Sequence, residues 1–151
     1  MTVVVARRSI AADPTSTALL LAGPSAVDLW PAARRLDEGR DGRYRLLIEL
    51  PGHAAPVAVT LRASAPARRP TGFVWTLHLE PVGLPAATGT LTLRYSGDGP
   101  GMATEAQLRL EQADPDDQRG DTISLLQDAD CLAQAFLGNL ATAAESRSRA
   151  A

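Results

Sequence analysis

The stretch DTISLLQDADCLAQAFLGNLATAAESR, Asp121 to Arg147, decides how the rest of the chain is read. Leu125, Ala129, Leu132, Phe136 and Leu140 recur at spacings of three and four, flanked by Leu126, Ala133, Leu137 and Ala144. That pattern predicts one helix with an apolar stripe broad enough to lie across a sheet. Asp121 follows Gly120 and suits an N-cap at the positive end of the helix dipole, while Arg147 and Arg149 suit the other end. At ~1.5 Å per residue such a helix spans roughly 40 Å, the width of a small domain.

Upstream, the period is two. Tyr44, Leu46, Ile48 and Leu50 alternate with mostly polar neighbours, and so do Val57, Val59, Leu61 and Ala63. The same holds for Phe73, Trp75, Leu77 and Leu79, for Leu91, Leu93 and Tyr95, and for Ala106, Leu108 and Leu110. Strand after strand with one apolar and one polar face is an antiparallel sheet, buried on one side and wet on the other. A short strand is expected around 32–38, with turns at EGRDG, PGHAAP, APARRPTG and SGDGPG. Before the sheet, residues 2–10 (TVVVARRSI) read as a β-branched strand. Asp13-Pro14 then places an N-cap before a proline at the first helical position, and Gly23-Pro24 ends that helix. Ser25 opens a second short turn that Pro31 closes. The fold class is therefore α+β: a first strand, two short helices, further strands to make about seven, and one long C-terminal helix as their cover.

At 151 residues the chain has the length of one domain with a substantial core, expected to span 1–151. Its net charge of −2 offers no bulk attraction to nucleic acid or to an anionic membrane. All fifteen basic residues are arginine, which reads as a compositional habit rather than a set of phosphate forks. Cys131 is the only cysteine, so neither an internal disulfide nor a cysteine-based metal site is available. It is expected to be a partly buried, inert thiol. The opening MTVVVARRSIAAD holds no apolar run fit for a signal peptide or a membrane span, which makes the cytoplasm the default location.

The order of elements resembles the helix-grip fold of the START-like (SRPBCC) superfamily, which includes polyketide cyclase/dehydrase and lipid-transport proteins. The resemblance rests on VVVARRSIAADPTSTALLLAGPSAVDLWP, through Ile10, Ala12, Pro14, Trp30 and Pro31. It rests also on AQAFLGNLATAAESR, through Phe136, Leu137, Leu140 and Glu145. One departure is Ala18-Leu19-Leu20, where family members often carry a Trp or Phe in the first helix. The resemblance implies a strongly curved sheet wrapped around the terminal helix, with an apolar cavity between them.

Alternation of antiparallel loops puts 51–56, 81–89 and 113–120 on one rim, expected to be the cavity mouth. Tyr44, Trp75 and Tyr95 share the apolar face and, when buried, need hydrogen-bond partners that a ligand can supply. Phe73, Phe136 and Trp30 read first as core, with Phe73 and Phe136 kept among the candidate ligand-binding residues. His53 in the mouth loop joins that set; it reads either as a solvated loop residue or as a general base. His78 points to the wet face beside Glu80. No metal-ligand spacing, calcium loop, phosphate loop or nucleophile motif appears, so no catalytic residue, metal or cofactor is assigned. If Ile10 points inward then so does Arg8, and the expectation is a slip in the first strand that returns Arg8 to the surface. The candidate function is binding of an apolar small molecule or lipid in the cavity by a monomer or homodimer, without nucleic acid or membrane insertion. The alternative is a polyketide aromatase/cyclase-type enzyme, disfavoured because the inward set is almost free of ionisable groups.

Overall fold

The computed structural model of the chain describes residues 2–22, 24–31, 34–36, 43–49, 55–82, 86–96, 103–112 and 121–150. Strand β1 (Thr2–Ile10) leads to helix α1 (Pro14–Ala22) and a single 3-10 segment (Pro24–Leu29). Strands β2 (Arg34–Arg35), β3 (Arg43–Ile48), β4 (Val57–Ala63), β5 (Ala67–Arg69), β6 (Gly72–Pro81), β7 (Ala87–Ser96) and β8 (Ala103–Gln112) follow, and α2 (Asp121–Ala150) closes the chain. The strands form one open antiparallel sheet in the order β1-β8-β7-β6-β4-β3-β2, with β5 hung on β6. Consecutive strands are neighbours except at two places: β5 pairs only with β6, which leaves β4 beside β6, and β1 crosses over to pair with β8 from Thr2↔Gln112 to Ile10↔Thr104. This is the helix-grip arrangement, with eight strands among the described residues where about seven are expected.

Local chemistry accounts for the joints. Asp13 caps α1: its Oδ1 accepts from the Ser16 N–H (2.7 Å), and its carbonyl accepts from the Thr17 N–H (3.1 Å) and hydroxyl (2.8 Å). Thr104 Oγ1 donates to the Ala12 carbonyl (2.7 Å), tying the turn after β1 to the start of β8. Gly72 has a φ of 151°, and a Cβ there would lie 1.8 Å from the Leu93 carbonyl oxygen. Only glycine permits the β5–β6 turn to come this close to β7. That small hairpin occupies the stretch 64–72, which the sequence marks only as a turn. Of the stretch 32–38, where a strand is expected, only 34–36 are described, and Arg34–Arg35 form one; β7 begins inside the expected 81–89 loop because Ala87 pairs with Leu79.

The core gathers the inward residues of every long strand against α1 and α2. Leu46, Leu61, Leu77, Leu91 and Leu108 from the sheet meet Ala133, Phe136, Leu137, Leu140 and Ala144 from α2, all buried. Helix α2 packs chiefly over the edge strand β1, and α1 covers β6 and β7. Thr17 and Thr104 are the only buried polar side chains among the described residues. No helix among the described residues is long and apolar enough to cross a membrane.

Candidate functional site

Between sheet and helix stands a column of three aromatic rings. Phe136, on the buried stripe of α2, lies with its ring centroid 4.4 Å from Trp30 and 5.8 Å from Trp75. The Trp75 ring stacks nearly parallel to it at 13°, and the Trp30 ring tilts at 36°. Trp30 follows the 3-10 segment, which Asn139 of α2 holds by donating from Nδ2 to the Leu29 carbonyl (2.7 Å). Trp75 is central in β6, between Leu91 on β7 and the apolar face of α2. All three rings are buried, and the indole N–H of each tryptophan has no acceptor among the described residues. A buried donor without a partner costs about 1–3 kcal/mol. The two rings that flank Phe136 each carry such a donor, with one hydrogen bond to give.

The remaining candidates are scattered. Tyr44, on β3 opposite Leu61, and Phe73, on β6 opposite Leu93, are half-buried and pack on the edge of the core. Tyr95 was expected to be buried on the apolar face, but it is 44 % exposed. Its register, opposite Thr104, does place it on the inner face. It stands next to the end of β7 at the sheet's rim, so parity alone does not give it cover. His53 lies outside the described residues, as do 113–120 and the Gly-rich turn at 97–101.

Parts of the expected mouth, 51–54 and 83–85, also lie outside the described residues. Near that rim cover is uneven: Ile48, opposite Val57, is only 1 % exposed. Val4, Val57 and Val59 keep 7–9 % exposure, against 0 % for Leu46, Leu91 and Leu108 deeper in.

Other expectations are corrected. Arg8 does not escape by a slip: it pairs with Ala106 in unbroken register, on the same face as Ala6 and Ile10. It is exposed because β1 is an edge strand and the long side chain runs out beside α2. There it passes Gly138, where a Cβ would sit 3.7 Å from the guanidinium Nη1. Cys131 is exposed rather than partly buried, since it falls on the solvent side of α2. His78 is exposed on the wet face as expected, but its Nδ1 faces Thr88 Oγ1 across the strand pair (3.4 Å) rather than Glu80. Trp30, set aside at the sequence level as core, is the residue that completes the aromatic column. Its side-chain role had no signal in the sequence beyond the Trp-Pro pair. No group of three or more His, Cys, Asp or Glu among the described residues is placed to hold a metal ion.

Taken together, the open curved sheet, the crossover to β8 and the covering terminal helix define the START-like fold. Solved structures bear this likeness over nearly the whole chain. A START superfamily protein from Mycobacterium smegmatis is 19 % identical over 96 % of this chain and 95 % of that one, with a TM-score of 0.60. The Zhui aromatase/cyclase from Streptomyces sp. R1128 is 17 % identical over 99 % and 96 %, with a TM-score of 0.67. The di-domain ARO/CYC StfQ from the steffimycin biosynthetic pathway is 17 % identical over 97 % of this chain and 46 % of that one, with a TM-score of 0.60. No family model matches the sequence, and no curated protein does.

Proposed function

We propose that the protein is a single-domain binder of an apolar small molecule or lipid, held between the sheet and α2 and carrying at least one hydrogen-bond acceptor. The observation that carries this reading is the pair of buried, unpartnered indole N–H groups on Trp30 and Trp75. Burial of the ligand's apolar body supplies affinity at about 25 cal/mol per Å². The oxygen that reaches an indole N–H removes an unpaired donor from the core, which favours oxygenated ligands over plain hydrocarbons of the same shape. Entry from the rim that carries Val4, Val57 and Val59 agrees with their residual exposure. We take the location to be cytoplasmic.

A second reading, a cyclase acting on a polyketide chain in the same place, draws on the likeness to an aromatase/cyclase structure. It lacks a buried acid or base among the described residues, where the only buried polar side chains are two threonines. The enzyme reading predicts that the wild-type protein accelerates cyclisation of a poly-β-ketone thioester and that Tyr44→Phe, which removes a half-buried hydroxyl packed against the core, abolishes the acceleration.

Fluorenone and fluorene, which differ only by a carbonyl, test the binding reading. The chain has two tryptophans, so a nitrogen–proton correlation spectrum shows two indole signals, one for each side of the column. Fluorenone is expected to move one or both and to bind about tenfold more tightly than fluorene, the equivalent of one net hydrogen bond. Trp75→Phe is expected to narrow that ratio. If neither compound binds saturably, the binding reading fails.

A further inference from the structure

The outer face of the sheet is uneven in charge, and one corner of it is organised in a way the ligand site does not require. On β3, β4 and β6, Arg43 lies directly opposite Arg62, and Arg62 directly opposite His78. The Arg43–Arg62 pair sets like charges in directly opposed cross-strand positions, which is destabilising. Neither Arg43 nor Arg62 has an ion pair or hydrogen bond among the described residues to offset this. Arg45 stands two residues from Arg43 on the same face, and Arg34 joins from β2 opposite Leu47. At strand spacings of about 4.8 Å and two-residue repeats of about 6.8 Å, these arginines share one small patch. Glu80 and Glu49 lie at its border.

Two apolar side chains sit among these cations. Leu36 continues the β2–β3 pairing by donating its N–H to the Arg45 carbonyl (2.8 Å), and it is 44 % exposed. Leu47 faces outward from β3, half-buried. Exposed leucine amid arginine is the composition that rests at the headgroup level of a bilayer, the guanidinium groups on lipid phosphates and the alkyl groups between acyl chains. Nucleic acid fits less well, because the patch has no aromatic side chain on which a base can stack. Only charges within about a Debye length of the surface act on it, ~10 Å at 0.1 M salt, and there Glu49, Glu80 and the acids of DEGRD at 37–41, between Leu36 and Arg43 in sequence, offset part of the arginine charge, so the attraction is confined to low salt.

We propose that this corner, centred on Arg43 and Arg62 with Leu36 at its edge, docks the protein on an anionic lipid surface without any segment crossing the bilayer. The inference stands independently of the ligand reading, since it concerns the opposite face of the sheet.

Flotation of the full chain with vesicles tests it. Vesicles of phosphatidylcholine containing phosphatidylserine are expected to carry the protein at low salt, and pure phosphatidylcholine vesicles are not. An arginine near an anionic surface contributes ~1 kcal/mol, about fivefold in partition, so the double variant Arg43→Gln/Arg62→Gln is expected to lose about 25-fold. Leu36→Ser is expected to weaken binding with no change in charge. Arg7→Gln, at the far edge of the same face, is expected to change it little; its melting curve and those of the other variants confirm folding. Equal binding to both vesicle types overturns the proposal, as does binding by the double variant at the wild-type level. Absence of binding to phosphatidylserine vesicles at low salt, or full competition by millimolar inorganic phosphate, also overturns it.

Discussion

Phe136→Ala should damage the fold more than any other single truncation in α2. The ring is fully buried and sandwiched between Trp30 at 4.4 Å and Trp75 at 5.8 Å, so its loss leaves a void that two large, rigid indoles cannot close. Truncations of buried Phe to Ala cost about 3–5 kcal/mol, and two ring pairs, each worth ~0.5–1.5 kcal/mol beyond area, place this one at the upper end. A domain of this kind has roughly 5–15 kcal/mol in total. At ~2.1 cal/mol/K per residue the unfolding entropy of 151 residues is about 0.3 kcal/mol/K, so 4 kcal/mol lowers Tm by about 13 °C. Phe136→Leu keeps most of the volume and loses the ring contacts, and about 1–2 kcal/mol is expected. Urea unfolding followed by intrinsic fluorescence measures both, because both tryptophans of the chain belong to the column. A cost below about 1 kcal/mol for Phe136→Ala would refute the argument. A cost near zero for Phe136→Leu would show that ring stacking contributes nothing beyond volume.

Gly72→Ala is expected to disrupt the start of the β6–β7 pairing, because its Cβ would lie 1.8 Å from a backbone oxygen; poor soluble yield or a large drop in Tm checks it. Gly89→Ala should cost less, about 1–3 kcal/mol, because the new methyl meets the movable side chains of Leu77 and Leu110 at 2.8 and 3.1 Å. Asp13→Ala removes the α1 cap and is expected to cost about 1 kcal/mol in chemical denaturation. Thr104→Val leaves the Ala12 carbonyl without its donor and should cost about 1–3 kcal/mol by the same measurement.

Much of the architecture was legible because it depends on periodicity. Alternation in β3, β4, β6, β7 and β8 fixed which face of each strand is apolar, and the Asp13-Pro14 pair marked the start of α1 through chemistry local to four residues. Cover is different, since it depends on what another element does. Tyr95 has the right parity and remains exposed at the rim, and Arg8 has the parity of a buried residue and reaches solvent from an edge strand. The β5 hairpin was hidden because three residues carry too little alternation to separate a strand from a turn.

The candidate site shows the same division. Sequence alone determined that Trp75 and Phe136 lie on apolar faces, because side-chain direction follows the two- and 3.6-residue repeats of the backbone. Only the tertiary structure brought Trp30 against Phe136 and left two indole N–H groups without acceptors, and only strand register set Arg43 opposite Arg62. Contacts between residues a hundred positions apart depend on how the whole sheet bends around its helix, which no local repeat encodes.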